Sequence, residues 1–229
     1  MTKHIGIVGC SAEGAALCYR TICVEGAELM GSHAHPEISM HTPSLAEYVD
    51  CLGRGDIRGV GEIMLDSAEK LALAGADFLI CPDNTIHQAF EFVTSRTRTE
   101  WLHIAEVVAQ EARAAGFRRA AILGTKWLME SEVYPEKLEA AGLEWQRPSE
   151  IERNELNRII MDELVYGIFN SEAVEYHQRV IDRMKQSGCD VAILGCTEIP
   201  LIIDDSSSSL PTLDSTRLLA RAAPVSYTH

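Results

Sequence analysis

Short apolar runs alternate along this chain with longer stretches in which apolar residues recur at helical spacing. Ile5-Gly6-Ile7-Val8 reads as a first strand, followed by a helix through Ala15–Leu29. Ile38-Ser39-Met40 reads as a second strand. Asp56–Ala74 carries Ile63, Leu65, Leu71 and Leu73 at helical spacing, with Gly75 as its stop. Asp77–Ile80 is a third strand, Ile104–Ala115 a helix stopped by Gly116, and Ala120–Leu123 a further strand. Helices are predicted over Glu130–Ala141, Glu150–Tyr166 and Ser171–Gln186, before a last strong strand at Asp190–Leu194. Continuous apolar strands alternating with helices predict an α/β fold with parallel sheets covered on both faces. Asp205–Ser209 is a polar loop. A helix begins in Asp214–Ala223 and is expected to be interrupted by Pro224, with Val225–His229 reading as a truncated helix or a foreign junction.

The chain also resembles itself. Ile7-Val8-Gly9-Cys10-Ser11 is similar to Ile122-Leu123-Gly124-Thr125-Lys126, with the glycines 115 positions apart. Phe78-Leu79-Ile80 leads to Asp83-Asn84-Thr85-Ile86 much as Ala192-Ile193-Leu194 leads to Cys196-Thr197-Glu198-Ile199, 113 positions later. Two matches at nearly one offset predict two similar lobes, each with a strand-to-loop corner and a second loop bearing a reactive side chain. The expected division is residues 1–104 plus 208–229 for one lobe and 105–207 for the other. Ligands of open parallel sheets bind beyond the carboxyl ends of the strands. An active site is therefore expected in an interlobe cleft, with Asp83 and Cys196 on opposite sides.

Charge and cysteine content narrow the chemistry. A formal net charge of -14 argues against a nucleic-acid partner, which would need clustered Lys and Arg. No run approaches membrane-spanning length and no signal-peptide pattern follows Met1, so a cytoplasmic protein is expected. The seven cysteines include no Cys-x-x-Cys pair, which disfavours a zinc ribbon or a disulfide framework.

Cys196 follows an apolar strand and Gly195, and Thr197-Glu198 read as the start of a helix whose N-terminus would stabilise a thiolate. Asp83 either faces the substrate or caps the helix entered at Asn84, a role Asn84 or Thr85 can also fill. Gly9–Gly14 lacks the Gly-Lys-Ser/Thr of a nucleotide loop, yet it and Gly124-Thr125 can offer N–H groups to a carboxylate. His33, His35 and His41 have no second ligand set and read as surface residues, so no metal is expected. His87 and His103 read as hydrogen-bonding residues near the site, and Cys81 as core.

At these loops the sequence resembles the aspartate/glutamate racemase superfamily, in particular its amino-acid racemases. The resemblance runs through Ile5–Gly9, Asn84-Thr85-Ile86-His87, His103-Ile104-Ala105, Leu123-Gly124-Thr125, Tyr134, Glu152-Arg153 with Ile159-Ile160, Gly195–Ile199, and Leu210-Pro211 with Asp214. It implies two pseudosymmetric α/β lobes, a homodimer, and racemisation of an amino acid without pyridoxal phosphate or metal. It implies Cys196 as one of two acid–base groups. The other position, expected to be Cys, here holds Asp83. Asn84, Thr85, Thr125 and Thr197 match positions that hold the substrate's α-carboxylate or amino group, and Ser11 falls in the first binding loop, where it is expected to bind substrate as well.

Free Asp and Cys differ by about 4.6 pKa units, roughly 6 kcal/mol of proton affinity, so an exposed Asp83 would be too weak a base for a carbon acid. Burial raising its pKa by up to about 3–5 units would close most of that gap. The function expected is racemisation of an acidic or related amino acid, with Cys196 as base on one face and Asp83 as acid or base on the other. His41 and Lys126 are the available anchors for a side-chain carboxylate. A one-base decarboxylase, lyase or isomerase, or a non-catalytic amino-acid-binding homologue, remains open beside it.

Overall fold

The computed structural model describes residues 3–225. The chain divides into two compact units, one holding the residues up to Ile104 and those from Thr216 onward, the other Ala105–Ser215. The second crossing thus falls at Ser215 rather than at residue 207. The reason is a strand absent from the sequence-based reading, Thr212–Asp214, which pairs with the sheet of the second unit.

The first unit is built from β1 (Ile5–Val8), α1 (Ala12–Met30), β2 (Ile38–His41), α2 (Leu45–Gly53), α3 (Ile57–Leu73), β3 (Phe78–Ile80), α4 (Phe90–Thr94) and β4 (Glu100–Leu102). Its sheet has the order β2-β1-β3-β4, all parallel, with Ile5 opposite both Ile38 and Phe78. β1 and β3 are buried throughout, so their apolar runs face helices on both sides. Val60, Met64 and Leu71 supply the buried stripe of α3, each contributing about 1.5–3 kcal/mol by leaving water. Gly75 follows α3 at φ +95°, where a residue with a Cβ would be strained, and so ends the helix as predicted.

α5 (Ile104–Ala114) leads into β5 (Arg119–Leu123), α6 (Lys126–Met129), α7 (Val133–Ala140), β6 (Glu144–Gln146), α8 (Glu150–Asp162), α9 (Ser171–Gln186), β7 (Val191–Leu194) and β8 (Thr212–Asp214). The second sheet has the order β6-β5-β7-β8, again all parallel. Each strand therefore has a counterpart in the first unit, and the short repeat visible in the sequence extends to the whole sheet topology. Leu156, Ile160, Val180 and Ile181 of α8 and α9 join Leu194 and Ile199 in the core of this unit. α10 (Ser215–Val225) ends the described chain.

Several predicted bounds shift for identifiable reasons. The helix expected over Glu130–Ala141 is two helices, α6 and α7. Pro135 has no N–H to give and is at home only in a first turn, so α7 starts anew at Val133. The helix expected to Tyr166 stops at Asp162, because Glu163 leaves helical geometry at φ -127°. One 3₁₀ turn follows before Gly167 at φ +72°. Pro224 does not interrupt α10, which reaches Val225, since a proline in the final turn removes a single hydrogen bond. The expectation for the final four residues lies outside the described residues. Among the described residues no helix is long and apolar enough to cross a membrane.

Candidate active site

The residues singled out above gather at the carboxyl ends of the two inner strands of each sheet. In the first unit, β1 ends at Val8 and α1 begins at Ala12, capped by Ser11, whose Oγ accepts the Gly14 N–H at 3.2 Å. β3 ends at Ile80 and gives way to the loop that carries Asp83. A 3₁₀ turn follows at Thr85–Ala89, and Asn84 at its start makes no side-chain cap. The Asp83 carboxylate reaches the neighbouring loop. Oδ2 accepts the Cys10 N–H at 3.1 Å, and the Ser11 N–H is shared between Oδ1 and Oδ2 at 3.3 Å each. Two main-chain donors at the mouth of a helix complement a carboxylate anion. Asp83 is 9% exposed and Asn84 beside it 2%.

The main chain of Asp83 is held as firmly. Its carbonyl accepts from His87 Nδ1 at 2.9 Å, and His87 Nε2 in turn lies 3.4 Å from the Ile104 N–H. A carbonyl only accepts and an N–H only donates, so His87 is the neutral imidazole with its proton on Nδ1. His103 lies against it, with ring centroids 4.9 Å apart, and Phe90 stacks on it at 5.3 Å. Cys81 also points its Sγ at the Asp83 carbonyl, 3.7 Å away. Burial, and then the Asp83 charge, push the Cys81 thiol well above its ordinary value, which makes it an inert core thiol. Burial does the same to the hydroxyl of Tyr48, reinforced by Cys81, Cys10 and Asp83.

In the second unit, β5 ends at Leu123 and Thr125 caps α6, its Oγ1 accepting the Leu128 N–H at 3.2 Å. The Lys126 N–H is held by Asn157 Oδ1 at 2.9 Å. β7 ends at Leu194, and the Gly195 N–H donates to the Leu123 carbonyl at 2.8 Å. The two loops approach so closely that a Cβ on Gly195 would sit 2.7 Å from the Leu123 oxygen, and one on Gly124 3.0 Å from the Gly195 oxygen. Glycine at both positions is what lets Cys196 stand where it does. Cys196 is 8% exposed.

No α-helix follows Cys196, contrary to expectation. Pro200 sits inside a single 3₁₀ turn, Ile199–Leu201, and Ile202 departs at φ -125°. The helix-terminal stabilisation of a thiolate expected from the sequence is therefore not built. The neighbour is a carboxylate: Cys196 Sγ lies 2.9 Å from Glu198 Oε2, which also accepts the Thr197 hydroxyl at 2.7 Å. Glu198 is 3% exposed and was read from sequence only as the start of a helix.

Asn84 and Thr85 thus lie beside Asp83 after β3 and Ser11 on the loop after β1, while Thr197 lies beside Cys196 after β7 and Thr125 on the loop after β5. A Ser or Thr hydroxyl that accepts an N–H can donate as well, as carboxylate binding demands. Of the proposed anchors, His41 is half-buried, its Nδ1 2.9 Å from Ser67 Oγ, and Lys126 is half-buried at the start of α6. His35 bonds the Pro36 carbonyl, and His33 has φ +64°. Among the described residues, no group of three or more His, Cys, Asp or Glu side chains is arranged to hold a metal ion.

Comparison with known proteins gives this arrangement a context. The family model for Asp/Glu/hydantoin racemases matches residues 6–223. The broad-specificity amino-acid racemase RacX of Bacillus subtilis is 25% identical over 173 residues, covering 72% of this chain and 70% of that protein. An aspartate racemase homologue from Pyrococcus horikoshii is 30% identical with a TM-score of 0.82, each chain covered in full. A structure from Yersinia pestis, described as that of a candidate Asp/Glu racemase, is 28% identical with a TM-score of 0.89. That match covers 99% of this chain and 100% of the other. With the two-sheet topology and nearly every residue matched, the chain belongs to the Asp/Glu/hydantoin racemase family.

Proposed function

We propose that the protein is a cofactor-independent racemase of an acidic or related amino acid, in which Cys196 and Asp83 exchange protons with opposite faces of the α-carbon. The observation that carries this reading is positional. Cys196 follows β7 and Asp83 follows β3, equivalent strands of two sheets with one strand order. Ser11, Asn84, Thr85, Thr125 and Thr197 bind the α-carboxylate and amino group, and main-chain N–H groups stabilise the charge that develops as the α-proton leaves. The substrate class is supported by the names of the relatives, an amino-acid racemase and an aspartate racemase homologue. The working form is proposed to be a homodimer.

Incubation with single amino acids in deuterated buffer tests the reading. A substrate is expected to gain deuterium at the α-carbon and to invert. If no acidic or related amino acid does either, the reading is wrong.

One observation favours a second reading. The Asp83 carboxylate is already engaged by two main-chain N–H groups, which suits a tether as well as a catalyst. With Cys196 as the single proton-transfer group, the site would run a one-base decarboxylation, elimination or isomerisation. Loss of carbon dioxide or water from a candidate acid would identify that chemistry.

A further inference from the structure

Proton transfer at carbon requires each group to start in a definite state, and the surroundings of Cys196 bear on which. Its sulfur faces Glu198 Oε2 at 2.9 Å, and the Thr197 hydroxyl occupies the same oxygen at 2.7 Å. Among the described residues no Lys, Arg or His makes an ion pair with Glu198, so its charge is not offset by a cation bonded to it. Two further titratable groups flank this loop, Tyr134 and Asp214. The Tyr134 ring lies 3.5 Å from where a Cβ on Gly195 would be, and burial pushes its hydroxyl well above the ordinary value. Asp214, at the end of β8 and opposite Leu194, is a second acid. Met129, Ile199 and Ile203 belong with Cys196 to one buried apolar cluster. A thiol can donate its hydrogen to a carboxylate oxygen at this distance. A thiolate there would meet a like charge in a buried setting.

We propose that Glu198 keeps Cys196 protonated in the resting protein, so that Cys196 enters the reaction as the proton donor. The inference rests on the reading of Cys196 as a proton-transfer group and assigns Glu198 as its positioning residue. In the step itself the electron pair of the substrate carbanion forms the Cα–H bond. The S–H bond breaks with its pair left on sulfur, and Glu198 keeps its charge. The thiolate so formed lies beside a carboxylate, which raises its affinity for a proton. The same contact therefore makes Cys196 a stronger base when the step runs in reverse.

The far-ultraviolet thiolate absorbance that Cys196→Ser removes isolates this one sulfur among seven cysteines. In the parent protein that component is expected only above the ordinary thiol range of about 8.5. In Glu198→Gln, read against the double variant, about tenfold more thiolate is expected at a given pH below the midpoint, a shift of about one unit. Glu198→Asp, which keeps the charge, is expected to stay near the parent. A Cys196 thiolate already present at neutral pH in the parent overturns the proposal with no variant of Glu198 needed. An unchanged or higher midpoint in Glu198→Gln overturns it equally. Neither measurement uses a substrate, so the result stands apart from whether any amino acid is racemised.

Discussion

Asp83 accepts the main-chain N–H of Cys10 at 3.1 Å, which joins the loop after β3 to the loop after β1 through a buried carboxylate. The Ser11 N–H adds a shared contact to the same group. Asp83 therefore holds the mouth of the first unit in shape, whatever else it does. Asp83→Ala leaves two N–H groups without this acceptor and is expected to cost about 2–4 kcal/mol, read from urea unfolding. Asp83→Asn keeps one oxygen acceptor and is expected to cost about 1 kcal/mol. On the two-base reading, racemisation by Asp83→Asn nonetheless falls by about 10²-fold or more, because an amide neither takes nor gives the proton. Full racemase activity in a stable Asp83→Asn protein would reduce Asp83 to a tether.

Cys196→Ser tests the other side. Serine is close in size, and at 8% exposure the site gains little strain from the exchange. Stability is expected to change by less than about 1 kcal/mol, within the range of volume-conserving substitutions. Exchange of the α-hydrogen for deuterium is expected to fall by about 10²–10⁴-fold. Retained exchange would place the chemistry on another residue.

The fold reads from sequence where a strand carries an apolar run or a clear alternation and fails where it carries neither. β1, β3, β5 and β7 are inner strands with apolar runs, and all four were legible, as was the edge strand β2 through its alternating Ile38-Ser39-Met40. β4, β6 and β8 are the other edge strands, with the sequences Glu-Trp-Leu, Glu-Trp-Gln and Thr-Leu-Asp, and none was. Three residues of mixed polarity, paired on one side only, carry neither an apolar run nor a full alternation. The same limit moved the second crossing between units, since it hid β8. At the site, the matching loops after β3 and β7 pointed to Asp83 and Cys196. The Glu198 contact was hidden because it depends on a 3₁₀ turn forming where a helix start was expected, which no spacing rule encodes.

Gly195 and Gly53 make a contrasting pair. A Cβ on Gly195 would lie 2.6 Å from Leu128 Cδ2 and 2.7 Å from the Leu123 carbonyl oxygen. The side chain can yield, but the main-chain oxygen belongs to β5 and accepts the Gly195 N–H. Gly195→Ala is expected to cost about 1–3 kcal/mol by overpacking and to displace Cys196, lowering activity further than stability alone explains. At Gly53, the last residue of α2, a Cβ meets nothing within 4 Å. Gly53→Ala is expected to be neutral or to stabilise by about 0.4–1 kcal/mol. Equal thermal midpoints for the two variants would show that the close approach of the Leu123 and Gly195 loops is not needed.

His177 on α9 sets a pH dependence of stability. Its Nδ1 lies 2.8 Å from the Ala173 carbonyl, while Nε2 is buried with no hydrogen-bond partner among the described residues. Burial holds the imidazole below its ordinary value, with the Ala173 contact opposing weakly. In the unfolded chain the ring titrates near 6.5, whereas in the folded protein it stays neutral to lower pH. The unfolded state therefore binds more protons below about 6.5, and folding stability is lost as pH falls through that window. Above it both states are neutral and the ring contributes no slope. One proton corresponds to at most about 1.4 kcal/mol per pH unit. His177→Leu removes the titrating group while filling the apolar site, and is expected to lose that share of the acid-side slope while matching the parent more closely at pH about 7.5. Urea midpoints of the two proteins from neutral to mildly acidic pH decide the matter. Parallel curves would mean that His177 is protonated as readily in the folded protein as in the unfolded chain.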